Sequence, residues 1–536
     1  MNVPQGDNSV APRAGRREWI GLAVVSLACL LYVMDLSVLY LAVPSLTRDL
    51  EPTSAQLLWI TDIYGFMVAG FLITMGTLGD RIGRRRVLLA GAAAFGVSSV
   101  VAAFSTSAEM LIAARALLGI AGATVAPSTL SLIRNMFHDP RQRMTAIGVW
   151  GTSFAVGGAV GPLVGGLLLE VFWWGSVFLI NVPVMGVLLV LGPRLLPEFR
   201  DPGAGGIDLT SVFLSLGAVL PVIFGLKQLA AGGAGASAVA AVAAGLVFGA
   251  LFVRRQTRLE DPLIDLRLFR IPAFGVSVMS NTLTGFIAFG TFLFVAQYLQ
   301  LVVGLTPLAA GLWSLPSSVA VIAGSMLAPR VSRWVRPAFG VAGGLLLAAA
   351  GLALLTQVDA TSGLPPVVTG TIVFSLGLGP VFILATDLIV GTAPAERAGA
   401  ASAISETGAE LGGALGIALL GSIGTAVYRG GVTAALPEDV PLAAAEAARD
   451  TLGGALAVAQ QLPADVGPGL AGAALDAFAQ GLHISAMVGA AIATGVALLV
   501  AILLRDVRSS QGAQGAEAPA DVVLADCGLC PAVAES

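Results

Sequence analysis

Residues 76–86 read GTLGDRIGRRR, and this basic stretch ends one apolar segment, residues 57–79, and precedes another, residues 87–105. A helix needs about 20 mostly apolar residues to cross the roughly 30 Å hydrocarbon layer of a bilayer. Both segments reach that length. Short loops rich in arginine lie on the cytoplasmic side of a membrane. The stretch therefore predicts two membrane helices that are joined by a cytoplasmic loop.

The composition of the whole chain extends this prediction. Of 536 residues, 56% are hydrophobic and 11% are charged, whereas soluble domains average about 25% charged residues. So little charge argues against a soluble enzyme, a nucleic-acid-binding protein and a disordered scaffold. Three cysteines are too few for a disulfide framework, and two of them, Cys527 and Cys530, lie close to the C-terminus. We expect a polytopic all-α membrane protein.

Apolar segments of membrane-spanning length recur along the chain, and we predict fourteen transmembrane helices. Their approximate positions are residues 19–43, 57–79, 87–105, 109–133, 144–168, 173–194, 209–230, 236–253, 273–300, 307–328, 338–357, 366–391, 399–427 and 483–504. With both termini inside, this count leaves Arg48, Lys227, Arg429 and Arg449 on the outer side and Arg115 within a span. The remaining basic residues fall in cytoplasmic segments, as the positive-inside rule requires.

The order of the spans divides the chain into five parts. These are a cytoplasmic N-terminus at residues 1–18, a six-helix half at 19–194, two additional helices at 195–256, a second six-helix half at 257–504, and a cytoplasmic tail at 505–536 that we expect to be disordered. Residues 428–482 are predicted to form a long external loop with Ala-rich, helix-like stretches inside the second half.

An internal repeat is consistent with this division. The loop after span 2 reads LGDRIGR at residues 78–84, and the loop after span 10 reads LAPRVSR at residues 327–333. An offset of eight spans fits two six-helix halves separated by two inserted helices. Chance similarity between two basic loops is the alternative.

At these loops the sequence resembles the major facilitator superfamily, and the resemblance extends over nearly the whole chain. In the loop after span 2, the superfamily's signature motif is matched by Gly76, Asp80, Arg81, Gly83 and Arg84. Span 5 is similar to a motif associated with exporters, through Gly157, Gly161, Pro162 and Gly165. The resemblance implies a major facilitator fold that works by alternating access.

Three further segments narrow the resemblance to the fourteen-helix drug:proton antiporters, which include exporters of quaternary ammonium compounds. Span 1 contains Met34-Asp35 followed by Pro44, span 2 contains Asp62 and Tyr64 in the stretch WITDIY, and span 13 contains Glu406-x3-Glu410. Arg115 in span 4 matches a second superfamily motif. The resemblance does not specify a substrate.

Six charged side chains lie clearly inside the predicted spans, away from the span ends. They are Asp35, Asp62, Arg115, Asp387, Glu406 and Glu410. An ionisable group at mid-membrane is costly and is a functional-site hypothesis by default, and a surplus of carboxylates attracts protons or a cation. Asp35 is expected to bind a proton or the substrate, unless it forms a static pair with Arg115. Glu406 and Glu410, four residues apart, project from one helical face.

Side chains of other kinds are predicted to complete the cavity or to move the helices. Contacts with a flat lipophilic cation are predicted for Tyr32, Tyr40, Tyr64, Trp150, Asn181, Phe292, Gln297 and Trp313, although packing or lipid contact would explain them equally well. Pro162 is expected to kink its helix, and its glycine neighbours to allow close helix approach. Asp80 is expected to cap a helix end or to pair with Arg84, which would stabilise one conformation of the transport cycle.

Together these features predict a proton-coupled exporter of lipophilic, cationic drugs, dyes and antibiotics. Its expected partners are such cations, protons and the lipid bilayer, with no nucleic acid and no cofactor. We expect a monomer in the bacterial plasma (inner) membrane. No Walker-type lysine loop occurs in the sequence, which argues against direct use of ATP. The alternatives are an exporter of one endogenous metabolite or antibiotic, a nutrient importer, and a receptor or channel.

Overall fold

The computed structural model describes residues 13–200, 208–232, 235–260, 262–359, 363–392, 398–436, 440–463 and 466–505, and this part of the chain contains helices and no strands. The predicted tail beyond Arg505, with Cys527 and Cys530, lies outside the described residues. The helices are α1 (Arg16–Leu50), α2 (Ser54–Ile82), α3 (Arg84–Ala103), α4 (Ala108–Gly122), α5 (Val125–Met136), α6 (Pro140–Val171), α7 (Ser176–Leu179), α8 (Asn181–Leu195), α9 (Leu209–Gly232), α10 (Ala236–Gln256), α11 (Pro272–Gln297), α12 (Pro307–Trp334), α13 (Pro337–Leu355), α14 (Leu364–Thr392), α15 (Ala398–Ala435), α16 (Leu442–Asp450), α17 (Leu452–Gln461) and α18 (Gly467–Leu503).

Within the described ranges, thirteen helical segments are long and apolar enough to cross a membrane, and up to fourteen when a bent pair of segments in α6 is counted as one span. The pair consists of Thr145–Gly158 and Val160–Val171, which meet at 42°. Pro162 lacks an N–H, and its ring clashes with the carbonyl four residues earlier, that of Gly158. The bend therefore lies where the proline predicts it, and the all-α prediction is confirmed.

Two groups of helices each enclose a hydrophobic core. The first group is α1–α8, and its core includes Val25, Leu88 and Phe95. The second group is α11–α15 with α18, and its core includes Leu352 and Leu420. We call these groups the N-half and the C-half. We call the end of the bundle that carries the loop at residues 81–86 the basic end.

The N-half and the C-half contact each other toward the end opposite the basic end. A Cβ added to Gly166 of α6 would lie 2.6 Å from the carbonyl oxygen of Pro307 at the start of α12. The Gln300 side-chain amide, just beyond α11, donates to the carbonyl of Leu41 in α1 at 3.0 Å. Nearer the middle, Gly65 of α2 packs on Ala414 of α15.

The two inserted helices α9 and α10 pair with each other, and α9 lies against α2 and α15. Ile223 of α9 shares a small apolar cluster with Phe66 of α2 and with Ala414 and Ala418 of α15. At the other end of the pair, Arg255 binds Asp208 through two nitrogens, with an Nη2–Oδ1 distance of 2.9 Å. The pair thus covers the line along which the N-half and the C-half meet.

The region predicted as a loop at 428–482 is largely helical. It is shorter than predicted because α15 continues to Ala435 and α18 begins at Gly467. Between them, the Ala-rich stretches form α16 and α17, whose residues Ala448, Leu452 and Ala455 are buried in the core of the C-half. Because these apolar side chains are buried, the connection between α15 and α18 is a packed part of the C-half.

Candidate functional site

The orientation of Glu406 and Glu410 follows from a glycine stripe on the same helix. Gly408, Gly412 and Gly416 of α15 pack against α11, and a Cβ added to Gly408 would lie 2.7 Å from the Thr282 hydroxyl. The glutamates are two positions away from these glycines, which is about 200° around a helix. They therefore point away from α11, and both are half-buried.

A cavity of about 230 Å³ lies between the N-half and the C-half. Asp62 of α2 and Glu410 of α15 both line it, together with Thr61 and with the apolar side chains of Leu36 and Phe289. The cavity therefore receives one carboxyl group from each half. Glu406 lies on the same face of α15 as Glu410, about 6 Å nearer the basic end.

Tyr32 connects the N-half to this cavity. Its hydroxyl donates to Glu410 Oε1 at 2.8 Å, and its ring is fully enclosed. An aromatic row continues from it, with the Phe154 ring 6.1 Å from Tyr32 and the Trp150 ring 4.8 Å from Phe154. The Trp150 indole N–H donates to the Thr129 hydroxyl at 2.9 Å, which fixes the orientation of its ring.

Asp35 forms a buried ion pair with Arg115. One Asp35 carboxyl oxygen binds Arg115 Nη1, and the other accepts from Asn181 Nδ2 at 3.0 Å. Arg115 Nε donates to the carbonyl of Ile60 at 3.1 Å, and its guanidinium lies 4.8 Å from the centre of the Tyr64 ring. Arg115 is 0% exposed and Asp35 is 4% exposed.

Asp35 and Glu410 thus occupy different environments. Asp35 is not among the residues that line the 230 Å³ cavity, so the geometry favours the static-pair alternative for this side chain. Asp62 lines the cavity, whereas Asp35 and Arg115 pair with each other. Asp387 is half-buried in α14 and lines neither this cavity nor the second one described below.

The aromatic and amide side chains that are predicted to line the cavity have different environments in the structure. Tyr32 reaches Glu410, Gln297 lines the second cavity, and Asn181 binds Asp35 instead of lining either cavity. The remaining side chains have other environments. Tyr40 and Tyr64 are buried, Phe292 packs edge-on against Phe374 at 5.7 Å, and Trp313 is 44% exposed.

A second cavity, of about 540 Å³, was not predicted from the sequence. It lies at the end opposite the basic end, and its lining includes Asp450 of α16, Tyr428 of α15 and Gln297 of α11. Thr61 lines both cavities. From the sequence, Gln297 is predicted to line a cavity, but Asp450 stands in the region that is predicted to be a long external loop.

The residues of the signature motif in the loop after span 2 make specific contacts. Arg84 Nε donates to Asp80 Oδ1 at 2.8 Å, so the predicted pair forms, and Arg84 Nη1 donates to the carbonyl of Pro127 at 3.2 Å. Gly83 has φ +120°, a conformation that favours glycine. A Cβ there would also collide with Glu198, whose carboxylate accepts from the backbone N–H of Arg85 at 3.2 Å.

The glycines of α6 pack on α1. A Cβ on Gly157 would collide with the Leu30 carbonyl, one on Gly161 with Ser37, and one on Gly165 would lie 3.0 Å from Val38. Close approach of α6 and α1 thus depends on glycine at these three positions.

Comparison with known proteins identifies the family to which this arrangement belongs. Residues 25–417 match the family model of the Major Facilitator Superfamily. The chain is 43% identical over 493 residues to the multidrug efflux pump LfrA of Mycolicibacterium smegmatis, covering 92% of this chain and 97% of that protein. It is 34% identical to the methyl viologen resistance protein SmvA of Salmonella typhimurium strain 14028s, covering 86% and 93%.

A solved structure has the same fold. It is an inward-facing, unoccupied bacterial homologue of the human lysosomal transporter Spinster, with a TM-score of 0.65, 18% identity and coverage of 93% of this chain and 99% of that chain. The chain belongs to the major facilitator superfamily, and the predicted fold class is confirmed. It is a multi-pass membrane transporter of small molecules, similar to multidrug exporters.

Proposed function

We propose that this transporter is a proton-coupled antiporter that exports lipophilic cations across the bacterial plasma membrane. It acts as a monomer without a cofactor, and both termini are cytoplasmic. The observation that carries the proposal is the cavity between the N-half and the C-half, in which Asp62 and Glu410 lie together. The names of the relatives LfrA and SmvA, which refer to multidrug efflux and to methyl viologen resistance, support it.

The distribution of charge favours a cationic substrate. Arg115 is paired with Asp35, and the described residues that line the cavity include two acids and no basic side chain. A cleft lined by charge of one sign concentrates ligands of the opposite sign. Phe289 also lines the cavity, and an aromatic face that a cation contacts contributes about 0.5–2 kcal/mol.

Coupling to protons follows from the same carboxyl groups. A carboxyl group enclosed between two halves binds either a proton or a cation, so that release of one accompanies binding of the other. When the halves rock about a site near the membrane midplane, the two ligands are carried in opposite directions. Each proton that returns through about 100 mV supplies about 2.3 kcal/mol.

Everted membrane vesicles that contain the protein test the proposal. Ethidium uptake into energised vesicles should require a proton gradient and stop when a protonophore is added. Asp62→Asn and Glu410→Gln should each lower the initial rate by about tenfold or more. Glu170→Gln, which removes an exposed carboxylate near the end of α6, is the matched control and should export normally. Wild-type rates in Glu410→Gln vesicles would overturn the proposal, and uptake of ethidium but of no unrelated cation would indicate a single-substrate exporter.

A further inference from the structure

The second cavity has the composition of a binding site for an organic cation. It is lined by residues of α2 from the N-half and by residues of α11, α15 and α18 from the C-half. Phe294, Phe478 and Leu293 give it an apolar wall, and Tyr428 adds an aromatic ring. Asp450 supplies a carboxyl group to this wall.

The position of Asp450 is fixed by contacts of α16 with both halves. The Ser54 hydroxyl at the start of α2 donates to the backbone carbonyl of Asp450 at 2.5 Å. The Tyr428 hydroxyl of α15 donates to the carbonyl of Ala448 at 2.9 Å, and the next helix begins with the buried Leu452. The carboxyl group is therefore presented by packed helices.

The electrostatic neighbours of Asp450 leave it accessible to a cation. Arg429 Nη2 lies 3.6 Å from Asp450 Oδ1, but Arg429 does not line the cavity, and the carboxyl side chain is 23% exposed. Glu446, one turn earlier in α16, adds negative charge nearby.

The two cavities adjoin at Thr61. Because Thr61 lines both cavities, a long substrate bound at Asp62 and Glu410 would extend toward the second cavity. Ser54, which contacts Asp450, and Asp62 are eight residues apart in α2, which corresponds to about 12 Å along the helix. The acids of the inner cavity and Asp450 of the second cavity thus lie at two positions along the direction of α2.

We propose that the second cavity is an outer subsite for elongated dications, in which one positive group binds at Asp62 and Glu410 and the other binds at Asp450. The subsite distinguishes dications with widely separated charges from monocations and from dications with a short spacer. This inference rests on the proposed function and adds a substrate class to it.

The test compares three probes on purified full-length protein. Decamethonium has two quaternary ammonium groups on a long alkyl spacer, tetramethonium has a short spacer, and decyltrimethylammonium has one charge. Asp450→Asn should weaken decamethonium binding by about tenfold, the loss expected for one charge interaction of about 1.4 kcal/mol. Binding of the other two probes should change less than twofold.

Two control variants make the result unambiguous. Asp450→Glu should restore most of the affinity for decamethonium. Asp476→Asn removes an exposed carboxylate of α18 that does not line the cavity, and it should bind all three probes normally. Unchanged decamethonium binding by Asp450→Asn, or an equal loss for decamethonium and decyltrimethylammonium, would overturn the subsite. Failure of the wild type to export any lipophilic cation would instead refute the proposed function.

Discussion

The Tyr32 hydroxyl of α1 donates a hydrogen bond to Glu410 Oε1 of α15 at 2.8 Å, and this bond joins the N-half to the C-half beside the inner cavity. Any motion that separates the halves at this point breaks it. Binding of a cation or a proton at Glu410 also competes with it. The bond thus relates the ligand state of Glu410 to the relative position of the halves.

Tyr32→Phe should slow export severalfold without lowering the amount of protein in the membrane. The change removes one hydrogen bond to a carboxylate, worth about 1.5–3 kcal/mol, and keeps the ring that packs on Phe154. Initial rates of ethidium efflux measure the effect. Tyr298→Phe, which removes a hydroxyl bonded to the backbone of Asp359 outside both cavities, is the control. Equal rates for the two variants would show that the Tyr32 bond has no part in transport.

Asp35→Asn should destabilise the protein as well as impair export. The change leaves the buried Arg115 charge uncompensated, and removal of one partner of a buried pair costs about 3–5 kcal/mol. Thermal unfolding in detergent should show a lower midpoint. Asp35→Asn combined with Arg115→Gln should recover part of this loss.

The double variant also separates the two roles that the sequence leaves open for Asp35. Restored export together with restored stability would identify a static pair. If stability returns while export stays absent, Asp35 itself takes part in proton or substrate binding.

Gly157→Ala should impair assembly or transport, because the added Cβ collides with the Leu30 carbonyl of α1. Gly151→Ala is a matched control in the same helix, since a Cβ there meets nothing within 4 Å. Alanine is favoured over glycine inside a helix by about 1 kcal/mol, so Gly151→Ala should be neutral or slightly stabilising. Melting temperature and dye efflux of both variants provide the comparison, and similar behaviour would contradict the packing role of Gly157.

Decamethonium binding should depend on pH through Asp450. Burial raises the pKa of this carboxyl, while Arg429 and the hydrogen bond from Ser54 act in the opposite direction and Glu446 adds to the rise. Because the pKa lies above the ordinary value of about 3.9, the carboxylate is protonated earlier as the solution is acidified. Wild-type affinity should therefore fall on acidification more steeply than that of Asp450→Asn. Parallel titrations by isothermal calorimetry would argue against this role of Asp450.

Much of the fold follows from local features of the sequence. Hydropathy and arginine placement predict the membrane helices, because a bilayer demands a fixed apolar length for each span. Pro162 predicts the bend in α6, and the Gly408, Gly412 and Gly416 spacing indicates close helix packing. In each case the physical cause lies within one helix.

The site is less predictable, because it depends on which helices become neighbours. The sequence indicates Asp35, Asp62 and Glu410 as functional acids, but it cannot tell that Asp35 is enclosed with Arg115 while the other two share a cavity. The second cavity is still harder to predict from the sequence. It exists because α16 docks on Ser54 and Tyr428, and the contact with Ser54 joins residues that are 396 positions apart in the chain.

The α9–α10 pair has a mechanical consequence for the transport cycle. Ile223 touches Phe66 on one side of the seam and Ala414 on the other, so rocking of the halves must either shear this cluster or drag the hairpin sideways through the surrounding acyl chains. The viscosity and lateral pressure of the lipid then oppose each transport cycle. The transport rate should therefore be lower in an ordered bilayer than in a fluid one.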